Sequence, residues 1–477
     1  MRNGGFRMTS TIPRPSRFRV AGALGWFGRD RLGGQAVWIA VPFGINQIVR
    51  LVTSVVLARL LAPEMFGIML LVNTLRTGAE LLSDIGIGQS VVKSPRGNER
   101  RFLDTAWTLQ VLRGALLTGA TIVAAVPIGS IYGHPELTPI LFAISSVFTF
   151  TGLQSPNLFL MQRHIWLRTR AVYELGCMAF QCALTIALAA VMSSVWALVW
   201  GLMASTLFST IMSYLIGGMH RPSFCWDKSA AREIFHFGKW IFFSTMIYFA
   251  ASSTDNLYFV AVLPLSVAGV YGYARTFAGF FDQLGNRVGS TLIFPKLAAL
   301  GENRTEAAGR LRGRRRFFLG LVALVIAVAI ATSDEVVLLL LDPRYHLAAF
   351  MLPVLLIGVW FKVLSSFADA MLMGCGRPGP GAFANSAKFI VLLVGLPLAI
   401  GHASLFVALF VLILAEAMRW AVLAPILQGE RLATVADDLA LTALLGVAAV
   451  TLKLAVGALG LALTFSEWWA LGQGLHG

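Results

Sequence analysis

Six cations lie where a hydrocarbon interior would reject them. Arg50, Arg76, Arg113, Arg275, Arg287 and Lys362 all fall inside long apolar stretches of the chain. A charge at the centre of a bilayer costs about 3 kcal/mol on insertion scales. Such residues must face protein or water, and cations around a polar space suit an anionic ligand. Guanidinium groups recognise phosphate and carboxylate through paired hydrogen bonds.

Two of these cations belong to polar stripes. Asn73, Arg76, Glu80 and Asp84 recur at helical spacing, so on one helix they share a face. Arg275, Asp282 and Asn286 do the same further along. Two readings stand side by side: a local Arg76–Glu80 pair that ties two helices together, or a cavity in which Arg50, Arg76 and Arg275 hold an anion. Arg113 and Lys362 fit either the cavity or interhelical packing. Arg287 lies nearer a helix end, where a long side chain can snorkel to the interface. Asp255, beside Thr254 and Asn256, is the acid best placed to take a coupling proton or Na+; a helix–helix hydrogen bond would use the same residue. Glu416 and Arg419 suit a local pair, and Lys388 and Lys453 have no assigned role.

The elements that position these groups follow from composition. Of 477 residues, 57% are hydrophobic and 13% charged, against about 25% charged in soluble domains. Apolar runs of about 20 residues recur along the whole chain, each long enough to cross a bilayer as a helix. They are continuous rather than alternating, which excludes a transmembrane barrel. The fold class expected is an all-α polytopic membrane protein with about 13 (12–14) transmembrane helices. The segments fall near 36–57, 66–88, 105–129, 137–160, 171–192, 195–217, 237–261, 267–293, 317–341, 348–373, 381–400, 403–424 and 439–463.

Charge orients the bundle. The N-terminal tail, Lys93–Arg101, Arg163–Arg170, Arg221–Arg232, the 296–316 loop, Arg377 and Arg431 are basic. They alternate with connections holding at most Arg59 or Arg344. The positive-inside rule then puts the N terminus and the 296–316 loop in the cytoplasm and the C terminus outside. Trp38, Trp107, Trp240 and Trp420 near inner ends, with Trp196, Trp468 and Trp469 near outer ends, match interfacial belts. The formal charge of +15 reads as cytoplasmic arginine meeting anionic lipid rather than nucleic acid. The start carries no signal peptide and reads as a basic cytoplasmic tail.

The halves look related. Leu61–Gly67 lies over Leu263–Gly269, and the same register sets Glu80 opposite Asp282 and Asp84 opposite Asn286. An even number of helices separates the copies, so the repeat is parallel and a ligand would sit between halves. The organisation expected is a 1–34 tail, a 35–217 N-lobe, a 218–235 cytoplasmic linker, a 236–424 C-lobe and a 425–477 extra helix with tail. There is no GxxxxGK[ST] and no HExxH, and the seven histidines are scattered. The four cysteines form no CxxC and read as packing residues. With outer loops too short for a catalytic domain, the chain is expected to be no enzyme and to hold no metal or cofactor.

The run Val55–Gly67 (VVLARLLAPEMFG) followed by Asp84–Ser90 (DIGIGQS) resembles the polysaccharide transporter, or Wzx-like, family, whose members show a similar ARxLxPexFG run and DxGxg stretch. Ala268–Ala274 and Phe294–Leu297 look like its GxYxxA and FPxLs patterns. The resemblance covers about 35–430 and places the chain in the MOP superfamily with MATE-type exporters. It implies a MATE-like bundle of two six-helix lobes around a cationic cavity, with the first and second helices facing the seventh and eighth. It also implies a bacterial inner-membrane flippase for polyprenyl-pyrophosphate-linked oligosaccharide, working by alternating access beside membrane lipids, a polymerase and export machinery. A small-molecule exporter is the alternative. Relatives often have fourteen helices, whereas 439–477 has room for about one and a tail.

Overall fold

The computed structural model describes residues 31–217, 220–288, 304–377, 379–402, 405–430, 434–458 and 468, and among these no strand occurs. The helices are α1 (Arg31–Leu60), α2 (Pro63–Leu82), α3 (Ile87–Lys93), α4 (Arg100–Ile131), α5 (Leu137–Gly152), α6 (Asn157–Arg163), α7 (Leu167–Met192), α8 (Val195–Gly217), α9 (Lys228–Val262) and α10 (Leu265–Val288). They continue with α11 (Arg304–Leu340), α12 (Leu347–Gly374), α13 (Gly379–His402), α14 (Leu405–Gly429) and α15 (Val435–Ala458). Among the described residues ten helices are long and apolar enough to span a membrane, or twelve if the bent pairs α5–α6 and the two halves of α9 each count as one. The thirteenth expected segment is α10. Its polar stripe keeps it out of that count, yet it packs against α2 and α12.

The structure breaks several elements that the sequence reads as continuous. The expected 66–88 helix stops at Leu82, because Asp84 accepts a hydrogen bond from the Gly86 amide at 2.9 Å in a local turn. Gly86 has φ 67, a left-handed conformation that glycine adopts without strain, and α3 starts there. Asp84 therefore lies beyond α2 and does not share a helix face with Asn73, Arg76 and Glu80. The expected 137–160 helix bends by 56° between α5 and α6, where Pro156 cannot continue the ladder. The Gln110 amide satisfies the freed carbonyls of Thr151 and Gly152 at 2.9 and 3.1 Å. The basic 296–316 stretch is not all loop either: α11 begins at Arg304, and only 296–303 lies outside the described residues.

Each half has its own apolar core. One large cluster is centred on α10, α11, α12, α13 and α14 around Tyr271, Phe350, Trp360 and Phe367. The other joins α1, α2, α5, α7 and α8 around Leu61, Leu71, Ile140 and Val199. Burying such side chains is worth about 1.5–3 kcal/mol each against water, but lipid is as apolar as they are. Close packing and polar bonds must therefore hold the bundle together.

The seam between halves runs through α2. It lies along α9, where Asn256 donates to Thr74 Oγ1 at 3.1 Å and Thr245 donates to Leu81 O at 3.1 Å. It crosses α10 at two glycines that the internal repeat had matched. A Cβ on Gly67 would sit 2.3 Å from Leu265 O, and one on Gly269 would sit 1.9 Å from Pro63 O. Each glycine thus touches the other helix's first turn, as a two-fold pair would. Gly269→Ala is expected to force the crossing apart at a cost of about 1–3 kcal/mol. A lowered unfolding temperature of the detergent-purified protein would register it, and an unchanged one would mean the helices do not cross this closely.

Two further devices hold the halves. Residues 220–227 run beside α4, where Asp104 accepts from Ser223 N at 3.0 Å, Thr108 from Cys225 N at 3.1 Å and Thr105 from Asp227 N at 3.1 Å. Asp227 caps α9. Its bonds from Ser229, together with the Arg96 guanidinium, hold its carboxyl down at about 2. At the other end of the chain, α15 docks on α11 through Arg315–Asp438 at 2.6 Å and Arg312–Asp437 at 2.6 Å. Arg315 and Asp438 are each 2% exposed, and Trp420 and Trp360 add bonds to Asp438 Oδ2 and Thr442 at 3.0 and 2.9 Å.

Candidate functional site

Arg50 sits on α1 at the edge of the seam. Gln283 of α10 accepts from Gln47 Nε2 at 3.1 Å and from Arg50 at 3.2 Å. Here α1 and α10 pack sparsely, and a cavity of about 650 Å³ opens beside them. Arg50, Asn46, Asn73 and Thr276 are among its lining residues. Arg50 is exposed to that space, and among the described residues no carboxylate pairs with it.

Arg76 and Arg113 are engaged elsewhere. Arg76 binds Glu80 at 2.6 Å on its own helix. Arg113 reaches from α4 to Glu80 O, to Ser83 Oγ at 2.9 Å and to Asp84 at 3.9 Å. Glu80, Asp84 and Arg113 line a second cavity of about 450 Å³ inside the N-terminal half, among α2, α3, α4, α5 and α6. Within the expected stripe, Arg76 and Glu80 pair locally on α2.

Arg275 and Lys362 belong to a third group in the C-terminal half. Arg275 donates to Asp255, to Asn256 and to the Ser252 carbonyl, while Tyr271 also donates to Asp255. Asp255 is 7% exposed and accepts from Arg275 and Tyr271 through Oδ2. Lys362 pairs with Asp282 at 2.9 Å and Lys388 with Glu416 at 2.6 Å. Arg419 pairs with Asp369 and Lys453 with Asp334. Arg275, Lys362, Lys388, Asp255 and Glu416 enclose a cavity of about 110 Å³. Each cation here faces a carboxylate, so the group is close to neutral. A charge buried in such a pair is tolerated because its partner replaces the lost water.

The five cations read as one cavity are thus distributed over three places. Arg50 faces the seam, Arg113 and the Glu80 partner of Arg76 line the N-terminal cavity, and Arg275 and Lys362 stand in the C-terminal pairs. The side chains of Asn286 and Arg287 lie outside the described residues. The Glu416–Arg419 local pair is replaced by Lys388–Glu416 and Asp369–Arg419, which join different helices. Spacing rules see only neighbours on one helix, so these pairs left no local signal beyond the presence of Lys388 in an apolar run. Gln47 and Gln283 were missed for the same reason: a neutral amide in a membrane helix carries no charge to draw attention.

Among the described residues the chain is an all-helical bundle with ten to twelve candidate membrane spans. The fold matches lipid II flippase MurJ in its inward closed conformation with TM-score 0.69 at 11% identity, over 92% of this chain and 97% of that one. It matches an inward-facing multidrug-resistance MATE transporter of the MOP superfamily with TM-score 0.60 at 14% identity, over 88% and 99%. At such identities the likeness establishes the fold. The family described as "Polysaccharide biosynthesis protein" matches residues 56–349, and the chain belongs to that family. Lipopolysaccharide biosynthesis protein WzxC of Escherichia coli K12 is 22% identical over 277 residues, 58% of this chain and 56% of that protein. The aligned region spans about half the length of that curated relative.

Proposed function

We propose that this protein flips a polyprenyl-pyrophosphate-linked oligosaccharide across the bacterial inner membrane for surface-polysaccharide synthesis. The single observation that carries the reading is Arg50: a cation that pairs with no carboxylate among the described residues and lines a cavity with several polar side chains at the seam between the halves. Pyrophosphate is the counter-ion it lacks. The cargo's sugar enters the cavity while its lipid tail remains in the bilayer, and the halves then rock about α2 to open the other side. Arg50 is the primary anion contact. Arg76, Arg113, Arg275 and Lys362 are not among the residues lining that cavity, and each has a carboxylate within reach.

The basic connections support a cytoplasmic N terminus. In that orientation the Gly67–Gly269 crossing, the Tyr345 bond to Leu61 O at 2.9 Å and the Phe66–Tyr273 ring contact close the outer end. An exporter of cationic drugs would instead want free acids. Asp255, Asp282, Asp334, Asp369 and Glu416 all face a cation, which disfavours that alternative.

Deleting the gene is expected to cause a lipid-linked oligosaccharide to accumulate on the cytoplasmic leaflet, with loss of surface polymer. A deletion strain with normal polymer and no such intermediate would overturn the proposal.

A further inference from the structure

The cavity beside Arg50 has a lining that the anion does not explain. It is enclosed by α1, α2, α7 and α8, with Thr276 contributed by α10. Its walls carry neutral amides and hydroxyls: Asn46, Thr53, Asn73, Gln181, Ser205 and Thr206. Among the described residues, the side chains of Asn46, Thr53, Asn73 and Gln181 make no hydrogen bond. Ser205 and Thr206 donate to Leu202 O at 2.9 and 2.8 Å, which leaves their oxygens turned out as acceptors. Apart from Arg50, the only acidic or basic residue lining the space among the described residues is Glu174, already bound to Arg170 at 2.7 Å.

We propose that this cavity is the carbohydrate subsite of the cargo and that it takes an uncharged sugar next to the pyrophosphate; the inference rests on the flippase reading above. Each amide offers two donors and an acceptor, which matches neighbouring sugar hydroxyls that both give and receive hydrogen bonds. A lipid tail has nothing to satisfy unpartnered amides, and a charged sugar finds no counter-ion beyond Arg50 among the described residues. Volume agrees, since about 650 Å³ lies within the range of about 300–1,000 Å³ that small-molecule sites occupy. Covalent geometry agrees too. The first sugar is bonded to the phosphate, so its pocket must adjoin the anion contact, and Arg50 lines both this cavity and the small gap bridged by Gln283.

The test uses the full-length protein in lipid nanodiscs and three probes: bare polyprenyl pyrophosphate, the same lipid carrying a neutral hexose disaccharide, and one carrying a hexuronic-acid disaccharide. Wild type is expected to bind the neutral glycolipid about tenfold more tightly than the bare lipid, which corresponds to one or two net hydrogen bonds. The hexuronate should gain nothing. In Asn73→Ala/Gln181→Ala the tenfold ratio should collapse toward one, whereas Arg50→Gln should weaken all three probes. An unchanged ratio in the double variant overturns the subsite and leaves the flippase reading standing. Failure of wild type to bind any of the probes overturns both.

A second measurement needs no variant. Cys177 and Cys182 line the cavity, Cys225 and Cys375 are not among its lining residues, and none of the four is in a disulfide among the described residues. The neutral glycolipid should slow maleimide labelling of Cys177 and Cys182 relative to the bare lipid and leave Cys225 and Cys375 unchanged. Equal labelling of the first pair under both lipids would refute the assignment.

Discussion

Arg50→Gln is expected to abolish export of surface polymer while leaving the protein in the membrane at wild-type amounts. The argument is one of charge accounting. Arg50 bonds a neutral amide and no carboxylate among the described residues, so its removal strands no buried acid and costs the fold little. A hydrogen bond to a charged group contributes about 1.5–3 kcal/mol, and a guanidinium engages phosphate through two such bonds. Losing even the smaller figure twice lowers cargo affinity by about 100-fold. Arg50→Lys keeps the charge but not the planar fork, and should fall between glutamine and wild type. Polymer on the cell surface and protein in the membrane fraction are measured together. Normal polymer in Arg50→Gln would sink the anion contact and with it the observation on which the proposed function stands.

The second large effect has the opposite signature. Arg275→Gln is expected to deplete the folded protein, because it leaves the Asp255 carboxylate buried with only Tyr271 to serve it. Removing one partner of a buried pair costs about 3–5 kcal/mol, a large share of what holds a typical domain together. Asp255→Asn placed on top of Arg275→Gln removes the stranded charge and should restore both protein level and export. That double-mutant cycle separates structure from cargo contact. A double variant that is abundant but inactive would make Arg275 a cargo ligand after all, as its place on the α10 stripe had suggested.

The membrane class, the helical architecture and the repeat were legible in the chain itself. The apolar runs are long and continuous, and in lipid such a run has no other way to satisfy its backbone than as a helix. The repeat register was legible because Gly67 and Gly269 are required at one place: backbone approaches that close admit no Cβ. Even the break at Asp84–Gly86 was written in the sequence as an acid two residues before a glycine, although it was read through as helix. What the sequence could not supply was which charge meets which. Lys388–Glu416, Lys362–Asp282 and Arg419–Asp369 each join two different helices, and no spacing along one helix reports on them.

Six misplaced cations were thus determined by sequence alone, and so was the inference that they avoid lipid. Whether each of the five described ones is paired or available was decided only by tertiary structure. Burial in a low-dielectric bundle forces most of them onto carboxylates contributed by the same fold, since an unpaired charge there is too costly to keep. Arg50 escapes because it borders an open polar cavity, where water or an anion can solvate it. That distinction turns on three-dimensional proximity between helices, a property that residue type and spacing along one helix do not encode.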